Sequence, residues 1–154
     1  MNDVHALLLV QIDEAYDKNG WHGTTLRTAV RKTAGEDALW RPAPGRHNIW
    51  ELTVHAAYWK YVARRRLLSG TPGGVRRGAF PLKGSNWIAS PAGANWSEAV
   101  ELLETQHGAW REAVASLPAA ALGDRKKIRL IYGATAHDLY HTGQIQLVKA
   151  LRKG

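Results

Sequence analysis

Apolar residues recur at three- and four-residue intervals through four long stretches of the chain, and no run alternates apolar with polar between hairpin turns. The first spacing turns one face of a helix toward a core, whereas alternation would mark a half-buried strand. The pattern therefore predicts an all-α chain. The first helix is expected from about Asp3 to Asp17, with Val4, Leu7, Leu8, Ile12 and Tyr16 on its inner stripe and Asn19-Gly20 as its stop. A shorter helical piece is expected over Thr24 to Lys32, and Ala-Leu-Trp-Arg-Pro at 38–42 reads as a lead into a turn.

The second long helix has the clearest start. Asn48 is a natural N-cap and Glu51 follows three residues later, a variant of the capping box. Leu52, His55, Trp59 and Val62 then share a face, and Ser69-Gly70 with Pro72 closes the helix. Thr71 to Ala94 is rich in glycine and proline, a connection long enough to cross the molecule or cover a site. Asn95 and Glu98 repeat the capping pattern ahead of a third helix, Trp96 to Leu117, with Val100, Leu103, Trp110 and Val114 on its stripe. After Pro118 and Gly123, a fourth helix is expected from about Asp124 to Lys153, striped by Leu130, Ala134, His137, His141, Gln144 and Val148. Four amphipathic helices of this length make an α-helical bundle, and the long link permits two consecutive helices to run parallel.

At 154 residues the chain is the size of one domain, expected to span 1–154. It has no cysteine, which excludes disulfides, thiolate metal sites and a cysteine nucleophile. Any thiol chemistry would need a thiol from another molecule. No apolar run reaches the roughly 20 residues of a membrane helix, and the acidic start MNDVHALLLV lacks the basic region of a secretory signal, so the cytoplasm is the default location. Lysine and arginine outnumber aspartate and glutamate by 21 to 13, which favours an anionic partner without naming it. Arg64, Arg65 and Arg66 are consecutive, so on a helix they fan around its circumference and form no single reading face.

The histidines concentrate the chemistry. His137 and His141, four apart on one helix, project to the same side one turn apart, which lets two imidazoles reach one ion. His55 lies midway along the corresponding stripe of the second helix. Three neutral nitrogen ligands would leave coordination positions open, as in a catalytic metal site. The competing reading is three core imidazoles, each hydrogen-bonded to protein. Glu51, one turn before His55, either orients it or acts as a general base, or else serves only the capping box. Asp138 should point away from the histidine pair, toward a salt bridge at the surface or between helices. Gln144 either bonds a ligand or fills a polar gap. His47 precedes the N-cap and is expected outside the helix and exposed. His5, His22 and His107 have no partner at useful spacing and read as surface or half-buried. Trp21-His22-Gly23 is expected to close over the bundle mouth.

The segment HNIWELTVHAAYWKYVARRR, 47–66, resembles the second helix of the DinB-like (YfiT-like) superfamily of metalloenzymes. AHDLYHTGQIQLVKALR, 136–152, resembles that family's fourth helix, where H-x-x-x-H runs into G-Q-I, and ALWRPAPGRHNIWEL is similar to its approach to the second helix. The resemblance implies a four-helix bundle with long overhand connections and a divalent ion on His55, His137 and His141; histidine ligands admit zinc, nickel or another first-row ion, with zinc or nickel favoured. It also implies a frequent homodimer, and thiol-dependent transfer or hydrolase-type chemistry with a low-molecular-weight thiol as cosubstrate. Two other functions compete: a non-catalytic bundle that binds a small ligand or partner, and a nucleic-acid-binding protein. The second has only net charge behind it, since no helix-turn-helix, zinc-finger or RNA-stacking motif is present.

Overall fold

The computed structural model describes residues 3–154, and these are all helix and connection, without a strand. The helices are α1 (Asp3–Tyr16), α2 (Leu26–Arg31), α3 (Gly35–Leu39), α4 (Ile49–Leu67), α5 (Trp96–Ala115) and α6 (Arg125–Lys153), with a 3₁₀ turn at Ala119–Gly123. The four long helices fall where the apolar spacing placed them. The short α3 was not foreseen; its last two residues, Ala38 and Leu39, begin the segment read as a lead into a turn.

Side chains begin the helices as the sequence predicts. Asn48 accepts a hydrogen bond from the Glu51 backbone N–H at 2.8 Å, Asn95 from Ser97 N–H at 3.0 Å and Asp124 from Lys126 N–H at 2.8 Å. The reciprocal half of the capping box is replaced in both expected cases. Glu98 accepts from the Asn95 side-chain amide, and the Glu51 carboxylate leaves its own helix altogether.

Helix α4 packs on α5 and α6, while α1 packs on α6 and α5, so the four long helices surround a shared interior. Apolar side chains fill it in two clusters. Tyr16, Leu26, Trp50, Tyr61, Leu103 and Ile145 form one, and Leu8, Ile12, Leu67, Trp110, Val114 and Ile131 the other. Helix α4 is buried almost all round because the link from α4 to α5 lies across its outer side, seating Phe80, Leu82 and Ile88 on the first cluster. An irregular segment of that length stays ordered by such burial and by bonds such as Tyr61 O–H to the Arg76 carbonyl at 2.9 Å.

Two inner faces differ from expectation. On α1 the buried residues include His5, Leu8 and Ile12, while Val4 and Leu7 face outward. His5 is buried because its Nε2–H reaches the Val114 carbonyl, 2.8 Å away near the end of α5. On α6 His141 and Val148 of the expected stripe are buried, but Leu130, Ala134, His137 and Gln144 are only half-buried, and the rest of the core face is Ile131, Thr135, Asp138, Thr142 and Ile145. Its polar members find partners inside: Thr135 and Thr142 donate to the carbonyls one turn back, and Asp138 pairs with Lys60 through Oδ2, leaving Oδ1 without a hydrogen bond. His107, expected at the surface or half-buried, is buried against the Tyr16 ring. Trp21 covers nothing; its side chain is fully exposed. No helix among the described residues is long and apolar enough to cross a membrane.

Candidate metal centre

Helices α4 and α6 meet in an antiparallel register, His55 against His141 and Lys60 against Asp138. This register brings the α4 histidine to the pair on α6. His137 Nε2 lies 3.2 Å from His55 Nε2 and 3.0 Å from His141 Nε2, and the three donor atoms all fall within 4.8 Å of one another. His55 and His141 are buried and His137 is half-buried.

Hydrogen bonds on the far side of two rings decide which nitrogen faces the centre. His55 Nδ1–H donates to the Asn86 carbonyl at 3.0 Å, and His141 Nδ1–H donates to Gln144 Oε1 at 2.6 Å. The Gln144 amide N–H in turn points at the Tyr140 hydroxyl, 3.3 Å away, which sets its orientation. Neutral His55 and His141 therefore present Nε2 lone pairs to the centre. A single proton on His137 Nε2 can satisfy one of its two close contacts and leaves lone pair against lone pair in the other. Extra protons are resisted. Burial first, then the neighbouring imidazoles, pushes His137 down to about 3 and His141 down to about 4, and burial lowers His55 as well. Nitrogens held about 2.0–2.1 Å from a tetrahedral ion sit roughly 3.3 Å apart. The observed 3.0 and 3.2 Å match that spacing, and the donor set suits a first-row divalent cation.

The link from α4 to α5 supplies the roof. Asn86 holds a left-handed backbone (φ 58°), a conformation asparagine tolerates better than most residues. That turn aims its carbonyl at His55 and its side-chain oxygen at the Trp59 indole N–H, 2.9 Å away. Trp87 then lies flat between two imidazoles, 3.7 Å from the His47 ring and 3.7 Å from the His55 ring. His47 is exposed, as expected, and closes this stack from outside.

Glu51 fastens the roof. Arg41 grips its carboxylate with both terminal nitrogens, His47 Nδ1–H donates at 3.0 Å and the Ser90 backbone N–H at 3.0 Å. Burial raises the Glu51 pKa, but these donors outweigh it and hold the group at about 2. Asp138 points away from the histidines as expected, into a fully buried pair with Lys60 on α4. Asn86, Trp87, Arg41 and Ser90 were not anticipated. Each acts through a contact distant in sequence, and a glycine-rich link gives no periodicity from which such contacts could be read.

A family model describing the DinB superfamily matches residues 20–145, a stretch holding all three histidines and the link that roofs them. The chain belongs to the DinB superfamily. Comparison with curated proteins and with solved structures returned no match.

Proposed function

We propose that this DinB-superfamily chain is a metal-dependent enzyme in which His55, His137 and His141 hold one divalent ion, zinc or nickel. The convergence of the three Nε2 atoms, two of them with the opposite ring nitrogen already bonded, is the observation that supports this reading. When bound, such an ion supplies Lewis acidity and acidifies a water or thiol brought against it. The chain's own residues do the rest. Three neutral imidazoles cancel none of a cation's charge. Asn86 and Gln144 keep two of the rings in the tautomer that offers Nε2. Trp87 shields the His55 side from solvent.

The reaction class we favour is thiol-dependent S-transfer or hydrolase-type chemistry on a small molecule. Because the chain has no cysteine, the thiol would be a low-molecular-weight cosubstrate, which suits a cytoplasmic setting where thiols stay reduced. Glu51 enters as a positioning residue: with both oxygens occupied, it holds the link that carries Asn86 and Trp87 rather than waiting for a proton. Within this reading α1, α4, α5 and α6 form the bundle as a single domain, and the segments joining α1 to α4 and α4 to α5 are its long overhand connections. A homodimer would cover the exposed apolar side chains of α1 and α6, Leu7, Leu139 and Leu147 among them.

Elemental analysis of untagged protein tests the proposal. One equivalent of a first-row divalent metal per chain is expected. A metal-free protein that takes up none of the offered ions would overturn it.

A further inference from the structure

A groove of about 370 Å³ runs between α4 and α6, with His137 at one end. Its walls include Val62, Ala63, Leu130 and Ala134, side chains with no hydrogen-bonding group. Gly133 also lines it, and a β-carbon added there would meet open space. The volume is within the range of small-molecule sites.

The far end is cationic. Lys126 and Arg129 precede His137 on α6 by eleven and eight residues, a distance of about 16 and about 12 Å along the helix axis. Arg66, on the last turn of α4, also lines the groove, but its guanidinium lies over the Trp59 ring, 5.7 Å from the centroid, and that ring adjoins His137. Among the described residues none of the three has a carboxylate at ion-pair distance. Asp138, the carboxylate on the wall, is bound by Lys60. The groove is thus apolar along its length, positive at one end and bounded by a candidate metal ligand at the other.

We infer that it takes an anionic small molecule with an apolar body, an aryl or acyl carboxylate or a chemically similar anion. The charged group lies at Lys126 and Arg129, and the reacting end lies at His137. A sugar-conjugated molecule does not suit these walls, because its hydroxyls would lose water without gaining partners. The inference deepens the enzyme reading and rests on it for the meaning of the His137 end.

The test is calorimetric titration of the purified full chain with 2-naphthylacetate and with its neutral relative 2-naphthylacetamide, alongside metal analysis of the same samples. The carboxylate should bind about tenfold more tightly at low salt, and the ratio should shrink as salt is raised. The double substitution Lys126→Gln and Arg129→Gln, on exposed side chains, should bring the two affinities within about twofold and leave metal content unchanged. Gly133→Leu should weaken both compounds. Equal affinities in the wild-type chain overturn the proposal, as does a carboxylate preference that survives the double substitution. Anion preference without bound metal would sink the metal reading alone, and bound metal without anion preference would sink the groove alone.

Discussion

Two polar clusters lie about one turn apart between α4 and α6, and they are built on opposite principles. Lys60 and Asp138 are almost wholly buried and pair ammonium against carboxylate through Asp138 Oδ2, while Asp138 Oδ1 has no hydrogen-bond partner among the described residues. His55, His137 and His141 bring three like groups together, and no arrangement of protons among neutral imidazoles satisfies all their contacts. The first cluster sets opposite charges against each other; the second sets like donor atoms together with no opposite charge among them. Adjacent residues of α6, Asp138 and His137, belong one to each. The contrast teaches that burial and polarity alone do not mark a functional centre. What sets the histidines apart is the convergence of three like donor atoms on one point.

The comparison can be broken most strongly at the histidines. His137→Ala or His141→Ala should cut metal retention to less than about a tenth of an equivalent, read by elemental analysis, since losing one of three ligands leaves too few to hold the ion. Circular dichroism should show the helices intact. Lys60→Ala should act in the opposite way, costing about 3–5 kcal/mol of stability in urea unfolding because Asp138 is left buried without its cation. The double substitution Lys60→Met with Asp138→Leu should restore most of that loss.

A smaller effect sharpens the account of tautomers. Gln144→Leu removes the acceptor of the His141 Nδ1–H and should weaken metal binding about 10- to 100-fold with little change in thermal stability. Smallest in scale is a calibration from a histidine outside both clusters. Burial first, then Lys60, Arg111 and Arg27, pushes His107 down to about 2. The unfolded chain binds a proton at this residue below about pH 6.5 and the folded chain does not until about pH 2. Stability should therefore rise with pH across that window, by up to about 1.4 kcal/mol per pH unit from this one group. In metal-free protein His107→Phe should flatten the measured slope by one proton.

Much of this was legible in the sequence, and what was not has a physical cause. The long helices follow from the three-and-four spacing, and the pair His137/His141 from a single helical turn. The partner on α4 was readable from its place midway along the corresponding stripe, and the similarity of HNIWELTVHAAYWKYVARRR to a known helix reinforced it. The inner face of α6 was only partly read, His141 and Val148 correctly, because Thr135, Asp138 and Thr142 look like surface while each finds a partner inside. The expected stripe through Leu130, Ala134 and His137 is instead the wall of the groove. Asn86 and Trp87 were invisible for another reason: their positions depend on how a long irregular link folds back over α4, and no local pattern encodes that return.

X-ray absorption on the untagged chain, loaded with one equivalent of zinc, goes straight to the central claim. Three imidazole nitrogens at about 2.0–2.1 Å from the ion are predicted. An ion surrounded by carboxylate or solvent oxygen alone, or by a single imidazole, would contradict it.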